Sequence, residues 1–137
     1  MTADAPIETF AGVAPGTRQQ RGRRAFCAGM AAEEQVAQHY ARRGFGEERR
    51  RWRGKRGEID LVMRDGAALV FVEVKQSRSF ERAADSLGAR QMARIYGAAE
   101  EYLAQAPNGQ LTESRFDVAL VDGRGEIRII ENAFGAF

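Results

Sequence analysis

The fold is decided by the stretch Gly57–Lys75, which reads GEIDLVMRDGAALVFVEVK. Two largely apolar runs flank the dipeptide Asp65-Gly66, which is typical of a two-residue hairpin turn because both residues tolerate positive φ. The stretch therefore predicts an antiparallel hairpin with strands near Glu58–Arg64 and Leu69–Lys75.

The turn also sets the predicted register of the hairpin. With that turn, Arg64 lies opposite Ala67 and Glu73 lies opposite Glu58. In this register Asp60 and Glu73 are diagonal neighbours, with their backbones roughly 7–8 Å apart. Carboxylates that project from such positions can converge on one ion.

Strict alternation sorts the hairpin into two faces. One predicted face is wholly apolar and consists of Ile59, Leu61, Met63, Val70, Val72 and Val74. The other predicted face consists of Glu58, Asp60, Val62, Leu69, Phe71, Glu73 and Lys75. The charged members of this second face gather at the end away from the turn.

Three carboxylates at neighbouring sheet positions repel one another. A hard divalent cation with oxygen ligands offsets that repulsion, and the pattern therefore predicts a metal site. Lys75 adds a positive donor on the same face, two residues after Glu73. The alternative is a salt-bridged polar strand end, in which Glu58 and Glu73 pair with Arg56 and Lys75.

Two polar residues interrupt the apolar stripes of the predicted helices. Glu33 lies three residues from both Met30 and Val36 on the stripe of the first helix, and Gln91 interrupts that of the second. A carboxylate that faces a core needs a partner. Each of the two is either a boundary residue with its tip in water or a group that reaches the carboxylate end of the hairpin.

The remaining segments predict two helices and further strands. The first helix is expected from Gly29, or somewhat earlier, to Arg43, followed by a short polar strand within Phe45–Arg53. The second helix is expected over Arg82–Ala104. Two last strands, SRFDVALV and EIRIIEN, are separated by the turn DGRG. This order predicts an α/β fold in which helices flank a mixed sheet.

Length and composition fit one cytoplasmic domain. The chain has 137 residues, of which 44% are hydrophobic and 29% charged. Its single cysteine excludes an internal disulfide and favours a reducing compartment. No apolar run approaches the roughly 18 residues that span a bilayer, so no membrane partner is expected. Residues 1–22 are expected to form a mobile leader and residues 23–137 the single domain.

Positive charge is concentrated just before the hairpin. Eight of the fifteen residues at 42–56 are Arg or Lys, and only Glu47 and Glu48 oppose them. Such a density suits phosphate, and a solvated basic surface is the alternative. Trp52 could also stack on an unpaired base. The predicted nucleic-acid contacts are Arg49, Arg50, Arg51, Trp52, Arg53, Lys55 and Arg56.

Four motifs resemble a known family in their order and spacing. GMAAEEQVAQHYARRGF, GEIDLV, VFVEVKQSR and SRFDVALV resemble the YraN-type family of predicted endonucleases. That family is similar in pattern to PD-(D/E)xK nucleases and to archaeal Holliday-junction resolvases. The resemblance covers about Gly29–Val121 and implies a restriction-endonuclease-like fold.

The resemblance also implies roles for individual residues. The family's acidic pair, lysine and first-helix glutamate fall on Asp60, Glu73, Lys75 and Glu33. Glu58 stands in the GEID block, and by analogy with PD-(D/E)xK sites the metal would also take the main-chain carbonyl of Val74. Many members carry an Asn-aromatic-Arg stretch where this chain has residues 51–53, and a lysine where Gln91 stands. PD-(D/E)xK nucleases sometimes use a helix glutamine nearby, so the resemblance keeps Gln91 among the expected catalytic residues.

The sequence thus predicts a metal-dependent nuclease that hydrolyses phosphodiester bonds in DNA, with branched or structured DNA as one substrate class. Asp60 and Glu73 would hold Mg²⁺ or Mn²⁺, Glu33 or Glu58 would complete the shell through water, and Lys75 would orient the attacking water. A non-catalytic nucleic-acid-binding module and a protein-interaction adaptor on the same scaffold remain alternatives. DNA is expected as the substrate in preference to RNA. A homodimer would suit a branched substrate.

Overall fold

The structure is a computed structural model that describes residues 18–85 and 87–133. Within these ranges the elements follow the order α1 (Arg18–Ala41), β1 (Gly46–Arg53), β2 (Glu58–Asp65), β3 (Ala68–Gln76), α2 (Phe80–Asp85), α3 (Ala89–Ala104), a 3₁₀ turn (Gly109–Leu111), β4 (Ser114–Val121) and β5 (Ile127–Ile130). The strands form one mixed sheet with helices against both faces. This is the α/β architecture that the sequence predicts, and it is consistent with a restriction-endonuclease-like fold.

The sheet has the strand order β1-β2-β3-β4-β5. The pair β3–β4 is parallel and the other neighbouring pairs are antiparallel. A parallel pair needs a long crossover connection, which α2 and α3 supply between these two strands. The polar segment that was expected to contain a short strand forms β1, which pairs with β2 at the edge of the sheet.

The two faces of the sheet are covered by different helices. α1 packs Ala32, Val36, Ala37 and Tyr40 against Leu61, Met63, Val70, Val72, Ala119 and Val121. α3 contributes to the cluster on the other face, which consists of Ile59, Val62, Leu69, Phe71, Ile95, Ala98, Ala99, Tyr102, Leu103 and Phe116. Both helices also reach the carboxylate end of the hairpin, α1 through Glu33 and α3 through Gln91.

The hairpin register differs from the predicted register by two residues. Asp65 lies opposite Ala68, so the turn consists of Gly66 and Ala67. Gly66 has φ +65 while Asp65 stays in the strand, because glycine takes the left-handed conformation at the first turn position without steric cost. A shift of two residues leaves each side chain on its face of the sheet.

One residue of the predicted apolar face lies on the opposite side. Ile59 packs in the α3 cluster and not with Leu61 in the α1 cluster. Its partner on β1 is Trp52, which also packs against the α3 cluster. The alternation of side chains along β1 is interrupted at Arg51, a non-glycine residue with φ +54 that precedes Trp52. Trp52 and its partner Ile59 therefore both lie on the α3 face of the sheet.

The helices depart from their predicted limits. The predicted second helix, Arg82–Ala104, is divided into α2 and α3, because Gly88 caps α3 in an extended conformation (φ −100°, ψ 168°) that a continuous helix excludes. α1 begins at Arg18, so the end of the predicted leader at 1–22 is helical, and its first seventeen residues lie outside the described ranges. No helix within 18–85 or 87–133 is both long and apolar enough to cross a membrane.

Asp117 on β4 is a buried charged residue that the sequence analysis did not single out. Its side chain is 1% exposed. It accepts hydrogen bonds from the Tyr40 hydroxyl at 2.7 Å, the Arg115 guanidinium at 3.0 Å and the Asn132 backbone N–H at 3.0 Å. This network ties α1 to β4 and to the segment that follows β5.

Replacing Asp117 with Ala should lower the free energy of unfolding by about 3 kcal/mol, because Tyr40, Arg115 and Asn132 lose a common acceptor that is fully buried. Tyr40→Phe removes one of these bonds and should cost about 1 kcal/mol. Urea denaturation measures both, with Asp65→Ala at the exposed end of β2 as the control. An Asp117→Ala protein that unfolds at the same urea concentration as the control would contradict the structural role of the network.

Candidate metal centre and carboxylate cavity

A cavity of about 230 Å³ lies beside the hairpin, at the end away from the turn. It is lined by Gly57, Glu58, Asp60, Glu73, Gln91, Arg94 and Ile95. The hairpin supplies the carboxylates and α3 supplies the facing wall. The structure therefore gathers the three predicted hairpin carboxylates around one space.

The side chain of Asp60 accepts a hydrogen bond from the backbone of β3, in place of a backbone acceptor on β2. The β2–β3 ladder ends at the pair Leu61–Val72, and one step further the register sets Asp60 directly opposite Glu73, not diagonal to it as predicted. The Val74 backbone N–H donates to Asp60 Oδ2 at 2.9 Å. Burial raises the pKa of Asp60 above its ordinary value in spite of this bond.

Glu73 is the second buried carboxylate of the cavity. It is 7% exposed, and Gln91 Nε2 donates to its Oε2 at 2.6 Å. Burial first, and then the neighbouring charge of Asp60, raise the pKa of Glu73 to about 8. Near neutral pH the metal-free Asp60–Glu73 pair therefore holds one proton between its two carboxyl groups.

Lys75 joins this pair through the amide of Gln91. Lys75 Nζ donates to Gln91 Oε1 at 2.9 Å and lies 3.5 Å from Glu73 Oε2. Because the amide oxygen of Gln91 accepts from Lys75 while its nitrogen donates to Glu73, the amide has one orientation that satisfies both. Gln91 thus connects α3 to the charged end of the hairpin.

Glu33 is buried beside the same group of charges. It is 6% exposed, and Arg51 Nε donates to its Oε1 at 2.8 Å. Burial raises the pKa of Glu33, and the nearby charges of Asp60 and Glu58 raise it further, while Arg51 acts in the opposite direction. Glu33 was expected near both Asp60 and Glu73; the charge of Asp60 acts on it, whereas its proximity to Glu73 stays a prediction. Arg51 is a partner that the sequence did not reveal.

Most of the predicted nucleic-acid segment is engaged within the protein. Arg50 pairs with Glu34 and Glu47, Arg51 with Glu33, Arg53 with Glu58 and Arg56 with Glu100. Trp52 is half-buried and stacks edge-on against Tyr102, with 5.3 Å between ring centroids. The Arg49 side chain interacts with the Tyr102 hydroxyl. The Lys55 backbone N–H donates to the Glu101 carboxylate at 3.0 Å. The segment therefore offers phosphate less uncompensated charge than its sequence indicates.

Arg94 is a cavity residue that the sequence analysis missed. It follows Gln91 by three residues on α3 and immediately precedes Ile95. Residues at this spacing share one side of a helix. The signal that would have found Arg94 is its position relative to Gln91.

Two carboxylates, and not three, form the core of the site. Across 18–85 and 87–133, no three His, Cys, Asp or Glu side chains converge as a ready-made metal-ligand cluster. Mg²⁺ suits the donors present, because it keeps several waters and often takes only one or two protein carboxylates. Asp60 and Glu73 fit that requirement, whereas ligation by Val74 or Glu58 stays a prediction.

Comparison with known proteins identifies relatives that match most of the chain. Residues 32–121 match the family model described as Uncharacterised protein family UPF0102. A UPF0102 protein of Ruegeria pomeroyi is 64% identical over 115 residues, which cover 84% of this chain and 94% of the relative. A UPF0102 protein of Cereibacter sphaeroides is 62% identical over 109 residues, covering 80% and 93%. The family match spans all the cavity residues.

The buried carboxylates predict an unusual pH dependence of stability. The pKa of Glu73 is about 8 in the folded protein against an ordinary value of 4.5, so the folded state holds more protons than the unfolded state between these limits. The free energy of unfolding of the metal-free protein should therefore fall as the pH rises from about 5 to 8. Glu73→Gln, which cannot titrate, should flatten this slope in denaturation experiments at several pH values.

Glu81→Gln, on the exposed side of α2, is the matched control and should keep the wild-type slope. If Glu73→Gln also keeps the wild-type slope, Glu73 does not carry the proton.

Arg51 and Arg50 allow a direct comparison of two ion pairs between β1 and α1. The side chain of Glu33, the partner of Arg51, is 8% exposed, whereas that of Glu34, the partner of Arg50, is 49% exposed. Arg51→Met leaves a buried charge unpaired and should cost about 2 kcal/mol, below the value for a fully buried pair because Arg51 is 33% exposed. Arg50→Met should change the midpoint of urea denaturation little.

Adding Glu33→Gln to Arg51→Met should restore part of the lost stability, because the unpaired charge is removed. Equal destabilisation by Arg50→Met and Arg51→Met would contradict the special role of the buried pair.

Proposed function

The chain belongs to the UPF0102 family, and we propose that it is a metal-dependent nuclease that hydrolyses phosphodiester bonds in DNA. The observation that carries this proposal is the buried Asp60–Glu73 pair, bonded to Gln91 and beside Lys75, at the wall of an open cavity. Two buried carboxylates that share a proton are unfavourable for stability alone, and they suit a divalent cation that displaces the proton.

The chemistry of the donors favours Mg²⁺ or Mn²⁺ as the cofactor. Both ions prefer carboxylate, carbonyl and water oxygens. Such an ion, when bound, polarises a phosphate oxygen and lowers the pKa of a coordinated water. Asp60 and Glu73 would hold it, with Glu58 or Glu33 bonding to its waters and the Val74 carbonyl as a further ligand.

The other residues of the site act on orientation and charge. The Val74 N–H fixes one Asp60 oxygen and Gln91 fixes one Glu73 oxygen, which leaves a second oxygen of each for a cation. Lys75, already held by Gln91, would orient the attacking water or stabilise the negative charge that develops on the phosphate.

The choice of DNA as substrate has separate support. The resemblance to YraN-type proteins and to Holliday-junction resolvases favours structured DNA over RNA. The basic character of the chain, with pI near 9.0, suits a polyanion. A branched substrate with two scissile strands would favour a homodimer, and the single cysteine favours a cytoplasmic setting.

Three variants should separate metal binding from the chemical step. Asp60→Ala and Glu73→Ala should each remove most Mn²⁺ binding and nearly all cleavage, because they delete the carboxylates that hold the ion. Lys75→Ala should keep or slightly strengthen Mn²⁺ binding, since a competing positive charge is gone, yet lower kcat by about 10²–10³-fold. Calorimetric titration and cleavage of branched, duplex and single-stranded DNA measure both quantities.

Asp65→Ala, at the exposed far end of the same strand, should behave as the wild type. A wild-type protein that binds no divalent cation at millimolar concentration and cuts none of these substrates would overturn the nuclease proposal. Salt-dependent DNA binding without cleavage would then favour a binding module, and the absence of both would favour an adaptor.

A further inference from the structure

The wall of the cavity that faces the carboxylates carries one arginine. Gln91, Arg94 and Ile95 of α3 all line the cavity, as their helical spacing requires. Arg94 is exposed, so its guanidinium is accessible to a molecule that enters from solvent. It lines the same cavity as Asp60 and Glu73, which the hairpin contributes.

The other cations around the cavity already have partners. Arg53 pairs with Glu58 at 3.7 Å, and Lys75 contacts Gln91 and Glu73. Arg94 makes no ion pair with any carboxylate within 18–85 and 87–133. Its guanidinium donors therefore remain available for an anionic ligand.

The charges of the cavity indicate which ligand Arg94 suits. Three carboxylates line the space. A divalent cation would balance Asp60 and Glu73, and the third carboxylate, Glu58, pairs with Arg53. A phosphodiester brings one further negative charge into the same space, and Arg94 is the lining residue that offers this anion a positive charge.

The backbone holds Arg94 close to the carboxylate strand. A Cβ on Gly57 would lie 2.9 Å from the Arg94 carbonyl oxygen and 3.3 Å from the Arg94 Cβ. Only a glycine allows this approach. α3 therefore contacts the chain immediately before Glu58. This contact fixes the position of the Arg94 Cβ relative to Glu58 and Asp60.

We propose that Arg94 is the phosphate-binding residue of this cavity and that its guanidinium contacts a non-bridging oxygen of the scissile phosphodiester. The planar fork of an arginine matches two oxygens of a phosphate group, which a lysine cannot do. The inference rests on the proposed function for the cation and the substrate class. Its test measures binding and does not require cleavage.

The test is a titration of dithymidine phosphodiester into the Mn²⁺-loaded protein. Arg94→Ala should weaken binding about ten- to hundredfold, because a charge-assisted hydrogen bond is lost. Arg94→Lys should give an intermediate affinity, since it keeps the charge without the fork. Arg90→Ala, one turn earlier on the same helix and outside the cavity lining, should bind as the wild type. Mn²⁺ affinity should not fall in any of the three.

The assignment would be overturned if Arg94→Ala bound the phosphodiester as tightly as the wild type, or if Arg90→Ala lost as much affinity as Arg94→Ala. It would also be overturned if the Mn²⁺-loaded wild type bound no phosphodiester. A wild type that takes up no Mn²⁺ would overturn both this assignment and the nuclease proposal. Arg94-dependent binding in a protein that cuts no DNA would support the assignment and contradict the nuclease proposal alone.

Discussion

The structure of the site depends on one constraint, the burial of two carboxylates on opposing positions of β2 and β3. The strand ladder stops one step before them, and the Val74 N–H that would have continued it bonds to Asp60 instead. Because Glu73 faces Asp60 and is 7% exposed, the two cannot both be ionised without compensation. Gln91 and Lys75 provide part of that compensation, whereas the nearby charge of Glu58 adds to the repulsion.

The polar groups around the pair come from three further elements, α3, β1 and α1. α3 provides Gln91, whose amide bonds to Glu73 and accepts from Lys75. β1 provides Arg51, which adopts φ +54 and bonds to the buried Glu33 of α1. A left-handed conformation at a residue other than glycine is uncommon and is found more often near functional sites. Helices on both faces of the sheet thus contribute to one charged cluster, which explains why the hairpin alone does not form the site.

The sequence predicted features that depend on burial and missed features that depend on local backbone geometry or on distant partners. The apolar alternation predicted the hairpin and the faces of most residues, because one buried face excludes polar side chains. The register was wrong because Gly66, and not Asp65, takes the left-handed turn position. Partners such as Arg51 and wall residues such as Arg94 become apparent only when separate elements are packed together. The helix break at Gly88 was missed because the apolar stripe continues across it.

The most direct test of the paired-carboxylate site is the number of protons released when Mg²⁺ binds. Calorimetric titration at pH 7, in buffers of different ionisation enthalpy, measures this number. If Asp60 and Glu73 share a proton that the cation displaces, close to one proton should be released for each Mg²⁺ bound. Binding without proton release, or no binding at millimolar Mg²⁺, would contradict a metal site built on this pair.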